Sequence, residues 1–316
     1  MRKETTTTKG ASHRVVISAT ITGALGLGLA ACTAEPAQTP ESAAAFFGHV
    51  HGLGADPSTG QTYAATHNGV WLLPTTELPA TYPADDDVQA PIQIAERWQD
   101  TMGFTVARPG LLLGSGHPDI VEQPDLNPPN LGLISSADGA MTWDTVSMRG
   151  EVDFHDLDTV ELPDGELRIY GYDATAGTVR VSSDSGATWS EGTPLELRDL
   201  AADPAAPDRV YATTAEGLVV SNDGGTSFLP VPGAPALYLL TLAHDSGQFI
   251  GVDSEGMVWT SDDGASWSER GQTVGVPEAL EYVGGEAPWI LIADERGVVA
   301  SDDYGTTVTT LLTTQD

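Results

Sequence analysis

The sequence predicts an all-β fold, a β-propeller of six four-stranded blades, and two observations support this prediction. Short runs of β-forming residues are separated by Gly and Asp and show no helical period, which is typical of strands joined by tight turns. A hairpin pattern also recurs about every 40 residues along the chain. A repeat of this length indicates one blade of a radial β structure per unit.

The N-terminal segment is predicted to be a signal peptide, residues 1–32. Basic residues precede an apolar run that ends at Cys32, and this order is typical of a secretory signal. The run is too short and too rich in small residues to make a good spanning helix. Residues 33–45 are rich in Ala, Pro, Thr and Glu and predict a flexible tether, so the folded domain is expected over residues 46–316.

Cys32 is the only cysteine in the chain, which predicts that the folded domain has no disulfide. The sequence Leu-Ala-Ala-Cys that ends at Cys32 resembles the lipobox of bacterial lipoproteins, whose cysteine receives a diacylglycerol. The resemblance implies that Cys32 is lipidated. It also implies that the domain is anchored to the outer face of the bacterial cytoplasmic membrane.

The chain is strongly acidic, with 13 basic and 45 acidic residues and a formal net charge of −32. Loss of residues 1–32 would leave nine arginines against 44 acidic residues, a net charge of about −35. Such a surface repels nucleic acid and polyanionic glycans and attracts cations. It is also typical of extracellular or salt-adapted proteins, so charge alone assigns no role.

Five segments of the repeat share the pattern Ser/Thr-x-Asp-x-Gly-x-Thr/Ser-aromatic, with departures at individual positions. Their third positions lie 39 to 46 residues apart and are Asp138, Asp184, Asp223, Asp262 and Asp303. Two β-type runs around a turn precede each segment. A sixth unit, residues 62–74, has the hairpin without the Asp motif, so the units count to six.

This pattern resembles the Asp box, or BNR repeat, of sialidases, sortilin-like receptors and photosystem assembly factors. In such a turn the Asp and Ser/Thr side chains bond local backbone, Gly supplies a positive φ and the aromatic residue packs inward. The first segment has Ala140 at the Gly position, and the last ends in Val308. The resemblance implies that the five aspartates are structural and that they join the third and fourth strands on one face of the propeller. A calcium loop is a weaker interpretation, since the distal Glu of an EF-hand is lacking.

Histidines concentrate on the opposite face, at the starts of inner strands and in the turns between second and third strands. Five of them are candidates for binding a metal or another ligand: His49, His51, His67, His117 and His155. Asp100, Asp119 and Asp153 occupy matching places, and His244 falls on the Asp-box face. Imidazoles beside carboxylates suit zinc or copper. The alternative is that these histidines only hydrogen-bond strand ends around the channel mouth.

The order of the segments HVHGL, ATHNGVW, MGFTV, GSGHP and DFH, followed by Asp boxes, is similar to a family of bacterial lipoproteins named as glycosyl hydrolases. The resemblance covers most of residues 46–310 and implies glycoside hydrolysis. That reaction needs two carboxylates about 5–10 Å apart. The candidates are Asp100, Asp119 and Asp153, followed by Asp156 and Glu281. The scattered arginines offer no recognisable sialidase arginine triad.

The function that the sequence favours is binding of a metal ion, zinc or copper, or of a small polar ligand at the histidine face, or a role in assembly. Glycoside hydrolysis is the alternative, with a glycan as substrate. A protein-docking scaffold is the third class, because repeat propellers often bind protein partners. The Pro-rich insertion at residues 118–130 is expected on the histidine face, either as a lid or as a surface loop.

Overall fold

The computed structural model describes residues 47–56, 58–75, 88, 90–284 and 289–313. The predicted signal peptide and tether, with Cys32, lie outside this range. Within it, the only helical element is a 3-10 turn, Ile94–Glu96. None of the described helical segments has the length and apolar character needed to cross a membrane.

The described strands form six antiparallel sheets in chain order, which confirms the predicted six-bladed propeller. The first two blades contain β1 (Val50–Ala55), β2 (Thr62–Thr66), β3 (Gly69–Leu73), β4 (Ile92–Gln93), β5 (Asp100–Arg108), β6 (Leu111–His117), β7 (Leu133–Ser136) and β8 (Asp144–Ser147). The third and fourth contain β9 (Phe154–Glu161), β10 (Leu167–Asp173), β11 (Thr178–Ser182), β12 (Asp199–Ala202), β13 (Val210–Thr214), β14 (Gly217–Ser221) and β15 (Leu229–Pro230). The last two contain β16 (Leu237–Leu242), β17 (Phe249–Asp253), β18 (Met257–Ser261), β19 (Ser268–Gln272), β20 (Ala279–Gly284), β21 (Trp289–Asp294), β22 (Gly297–Ser301) and β23 (Thr309–Thr313).

The third blade differs from the others at its outer edge. Its sheet has three continuous strands, β9 to β11, and the position of a fourth is taken by two isolated bridges, Thr178 to Pro194 and Val181 to Ser190. Pro194 has no amide hydrogen to donate, which fits its place at an edge with broken pairing. The outer strand of this blade is therefore interrupted, while its inner three strands keep the pattern.

The inner strands β1, β5, β9, β12, β16 and β20 contact one another in this order, and β20 contacts β1. Every blade is built from consecutive strands, so no strand is shared between the first and the last blade. The ring is closed by a common hydrophobic cluster that includes Leu53 and Trp71 of the first blade and Leu291 of the sixth. The amide of Val50 also donates to Glu278 Oε2 at 2.9 Å.

Close approach of two inner strands requires a glycine at position 103, on β5. A Cβ there would lie 2.8 Å from the carbonyl oxygen of Phe154 on β9, which is closer than backbone and side-chain atoms can pack. Gly103 therefore lets the second and third blades meet at the channel. This contact brings the beginning of β5 close to the beginning of β9.

The Asp-motif hairpins join the third and fourth strand positions on one face, as predicted. In the first, Ser136 Oγ donates to Asp138 Oδ1 at 2.9 Å and the amide of Thr142 donates to the same oxygen at 2.9 Å. Equivalent bonds hold the turns of Asp184, Asp223 and Asp303. Each aspartate side chain thus accepts hydrogen bonds from turn groups that would otherwise have no partner within the protein.

The fourth hairpin corrects the prediction made for Asp262. Ser261 Oγ donates to Asp263 Oδ1 at 3.1 Å, and the amide of Ser266 donates to that oxygen at 2.7 Å. Asp262 instead accepts a hydrogen bond from Gln248 Nε2 at 2.7 Å. Because Gly264 directly follows Asp263, the turn is one residue shorter than the repeat pattern, and the structural aspartate is Asp263.

Candidate functional site

The histidine mouth is the end of the channel where the inner strands of blades one to three begin, and it is formed by His51, His67, Asp100, His117, Asp153 and His155. His51 lies on β1, and His67 lies in the turn between β2 and β3. Asp100 and His117 are register partners on β5 and β6. Asp153 and His155 flank the first residue of β9. Residues far apart in sequence therefore meet because each occupies the same end of its strand or hairpin.

The first group of this mouth consists of His51, His67 and Asp100. His51 Nε2 lies 3.1 Å from His67 Nδ1 and 3.5 Å from Asp100 Oδ1. His67 Nδ1 lies 3.0 Å from the same Asp100 oxygen. Three atoms with lone pairs thus converge on one point, which is the arrangement of a metal-ligand set.

The charge states in this first group follow from burial and mutual contact. The side chain of His51 is 11% exposed, and burial together with the neighbouring His67 lowers the pKa of His51 to about 3. Its ring is therefore neutral at physiological pH. Burial alone would raise the pKa of Asp100, but hydrogen bonds with His117 and His67 outweigh it and the pKa is lowered. The group offers two rings and one carboxylate anion.

The second group consists of His117, Asp153 and His155. Asp153 Oδ2 lies 2.9 Å from His155 Nε2 and 3.3 Å from His117 Nε2. The other ring nitrogen of His117, Nδ1, lies 2.8 Å from Asp100 Oδ2. His117 therefore links the two groups, and its two carboxylate contacts raise its pKa to about 10.

The other predicted ligand, His49, lies at the rim of the mouth. Its ring is 4.8 Å from the His51 ring, centre to centre, and its Nε2 lies 3.8 Å from Glu278 Oε1. It does not belong to either converging group. The predicted candidate Asp119 accepts a hydrogen bond from the amide of Val121 at 2.8 Å and so caps a local turn in the insertion.

The insertion at residues 118–130 is fastened to the blades. Arg97 Nη1 lies 2.6 Å from Glu122 Oε2, and Arg149 Nη1 lies 2.7 Å from Asp125 Oδ2. Leu126 packs in a small cluster with Ile134 of β7. These anchors favour the surface-loop alternative over a free lid for the part of the insertion that they hold.

Below the mouth, the inner strands enclose a central channel of about 390 Å³. Sequence reasoning named Asp156 and Glu281 there but missed Asp158 and Asp199, which also line the channel. Burial raises the pKa of Asp158 to about 6 and that of Asp199 to about 7. The signal that could have found Asp158 is the alternation of acidic and apolar residues along β9, since alternate residues of an inner strand face the channel.

Seven of the nine arginines in the described part of the chain are held by separate partners. Six of them form ion pairs with a carboxylate in different parts of the chain: Arg97, Arg149, Arg168, Arg180, Arg209 and Arg296. Arg198 lies at the channel, where it stacks on Tyr238 and donates to the carbonyl of Glu278. A triad of arginines for a carboxylate substrate is thus not formed by these residues.

No protein-family model matches the chain, and no curated protein matches it in sequence. Several solved structures share its fold. The structure of a nidogen/laminin complex matches with a TM-score of 0.57 and 14% identity over 80% of this chain and 93% of the other. A gluconolactonase from Xanthomonas campestris matches with a TM-score of 0.57 and 12% identity over 80% and 85% of the two chains. The calcium-binding protein regucalcin from Agrobacterium tumefaciens matches with a TM-score of 0.54 and 12% identity over 80% and 87%. At such identities the likeness describes the fold, a six-bladed β-propeller.

Proposed function

We propose that this chain binds a divalent transition-metal ion, zinc or copper, at the histidine mouth, through His51 Nε2, His67 Nδ1 and Asp100 Oδ1. The observation that carries the proposal is the set of distances among these three atoms, 3.0, 3.1 and 3.5 Å. The two imidazole nitrogens and the carboxylate come from three different strands or turns. Their convergence is therefore a product of the fold and not of local sequence.

The distances match a coordination shell. Zinc binds imidazole nitrogen and carboxylate oxygen at about 2.0–2.2 Å, so neighbouring ligands of a tetrahedral ion lie about 3.3–3.5 Å apart. Hydrogen bonds alone account for these contacts less well. His67 Nδ1 carries either one proton or one lone pair, yet it lies within hydrogen-bonding distance of both His51 Nε2 and Asp100 Oδ1. An ion at the centre of the triangle would use one lone pair of each atom.

The surroundings of the mouth support a cation over an anion. Asp153 and Glu278 lie near the same rim, and the channel beneath is lined by five more carboxylates. The net charge of the chain adds an attractive field for cations. Nitrogen and oxygen ligands together suit zinc and copper, with copper(II) bound more tightly at equilibrium.

Glycoside hydrolysis has less support from the arrangement. A glycosidase pairs a carboxylic acid of raised pKa with an ionised carboxylate across a cleft. Asp100 and Asp153 both have a lowered pKa, and both contact His117. Neither therefore suits the role of the protonated acid. Burial raises the pKa of the other two candidates, Asp156 and Glu281, so such an acid would have to come from the channel below the mouth.

Titration of the purified chain with zinc and with copper tests the proposal. We expect binding to the wild type, and a loss of affinity of at least about tenfold in His67→Ala, because substitutions that disturb a metal shell cost this much or more. His67 is half-exposed, so its removal leaves the core intact. Isothermal calorimetry and metal analysis after gel filtration measure affinity and content.

His244→Ala is the matched control, because His244 is an exposed histidine outside both groups. It should bind zinc and copper as the wild type does. Equal affinities of wild type and His67→Ala would show that the metal binds elsewhere. Absence of binding by the wild type would overturn the proposal itself.

A further inference from the structure

Asp100 and His117 each use both of their polar atoms, and in doing so they join the two groups of the mouth. Asp100 Oδ1 faces His51 and His67, while its Oδ2 lies 2.8 Å from His117 Nδ1. His117 Nε2 in turn lies 3.3 Å from Asp153 Oδ2. An unbroken path of contacts therefore leads from the proposed first metal centre to the second group.

The second group has the chemistry of a metal site of its own. Its potential ligand atoms are His117 Nε2, His155 Nε2 and a carboxylate oxygen of Asp153, and all lie within 4.8 Å of one another. They come from the end of β6 and the start of β9, so the fold brings them together. Each ring turns a nitrogen toward the same carboxylate.

Asp153 supplies an independent observation. Its side chain is 4% exposed, and its Oδ1 is buried without a hydrogen-bond partner among the described residues. A buried carboxylate oxygen without a partner costs free energy, and a bound ion or water is a usual explanation. A cation held by this carboxylate would compensate that oxygen as well as Oδ2.

We propose that the mouth holds two metal ions, the second bound by His117 Nε2, Asp153 and His155 Nε2, and that the Asp100–His117 hydrogen bond couples the two centres. The inference rests on the proposed function, in which Asp100 Oδ1 binds the first ion. Binding of the second ion displaces the proton of His117 Nε2 to solvent, while Asp100 Oδ2 accepts the hydrogen bond of His117 Nδ1 and orients this ring toward the ion. A carboxylate behind a metal-bound histidine is a frequent arrangement that fixes the ring and its tautomer.

The coupling makes Asp100 different from every other ligand. Loss of His67 removes a ligand of the first ion only, and loss of His155 removes a ligand of the second only. Loss of the Asp100 carboxylate removes a ligand of the first ion and the orienting partner of His117 at the second. Asp100→Asn should therefore weaken both centres, each by at least about tenfold.

The experiment measures metal content and Co²⁺ absorption of the full chain, titrated with zinc or cobalt(II) alone. We expect two ions per chain in the wild type and in His244→Ala, one in His67→Ala, and one in His155→Ala with a different cobalt spectrum. Asp100→Asn should bind neither ion at the metal concentrations that saturate the wild type. Circular dichroism checks folding, and His155→Gln replaces His155→Ala if the latter does not fold.

Two results would overturn this inference and leave the proposed function standing. One is that the wild type binds a single ion, which is lost in His67→Ala and kept in His155→Ala. His117 would then be a cation between two carboxylates and not a metal ligand. The other is loss of all metal in both His67→Ala and His155→Ala, which would describe a single shared centre. A wild-type chain that binds no ion would overturn the proposed function and the inference together.

Discussion

At the tip of the fifth blade, two adjacent aspartates have different surroundings. Asp263 accepts hydrogen bonds from Ser261 Oγ and from the amides of Ala265 and Ser266, whereas Asp262 contacts only the side chain of Gln248 among the hydrogen bonds described. The bonds to Asp263, the amides of Ser266 and Ala265 first, lower its pKa to about 2. The turn therefore depends on one carboxylate and not on its neighbour.

This difference predicts unequal effects of two matched substitutions. Asp263→Ala should lower the melting temperature by several degrees, because the turn amides lose their acceptor. Asp262→Ala should leave it nearly unchanged. Thermal unfolding followed by circular dichroism compares the two variants with the wild type, and equal melting temperatures for both would contradict the assigned turn.

The inner strands line the channel, and they also connect neighbouring blades. Asp158 of β9 accepts a hydrogen bond from the amide of Ala202 on β12, and Asp199 of β12 accepts one from the amide of Leu240 on β16. Each carboxylate thus bonds the backbone of the next blade. The strands are held together by groups that are also titratable.

Asp199 gives this arrangement a pH dependence. Burial raises its pKa from 3.8 to about 7 although Arg198 and the Leu240 amide oppose the shift. Between these values the unfolded chain loses a proton that the folded chain keeps, so the contribution of Asp199 to stability falls as pH rises from about 4 to about 7 and changes no further above that. The other charged or titratable groups that line the channel are Asp156, Asp158, Glu161, Glu278, Glu281, Arg108, Arg198, His51, His244 and Tyr282.

Asp199→Asn removes the ionisation and keeps an oxygen that can accept the Leu240 amide hydrogen. The variant and the wild type should have similar melting temperatures near pH 4, and the variant should be more stable by a few degrees at pH 8. Melting curves of both proteins at a series of pH values test this. A difference that is independent of pH would mean that the carboxyl keeps an ordinary pKa.

For the molecule as a whole, negative charge and location are connected. We propose that the propeller is tethered through a lipid on Cys32, so that its histidine mouth meets metal ions outside the cytoplasm. A net charge near −35 keeps such a domain soluble and concentrates cations around it. The tether is a proposal from the sequence, because Cys32 lies outside the described residues.

Cys32→Ala tests the tether in a bacterium that processes lipoproteins. The wild-type chain should fractionate with membranes and partition into detergent, because an acylated chain binds the bilayer through its buried methylene groups. The variant should lose detergent partitioning and lipid-mass addition. Membrane association that is identical in both proteins would argue for another means of attachment.

Much of the site can be predicted from where its residues fall along the predicted strands and turns. His51, His67, His117 and His155 were assigned to one face because each occupies a strand start or an equivalent turn, and the structure brings them to one mouth. Their division into two groups was not predictable, because it depends on angles between blades. The prediction for Asp262 was wrong for a local reason, since the repeat pattern does not show that this turn is one residue shorter.

The sequence by itself determined the number of blades, the hairpin order and the face on which the histidines lie, because strand alternation and turn chemistry act over a few residues. Only the tertiary structure decided that Asp100 lies between His67 and His117, and that the ring closes through packing of the first blade on the sixth. These contacts join residues that are distant along the chain. Their distances depend on how far each blade is rotated against the next, which the packing of all six blades decides together.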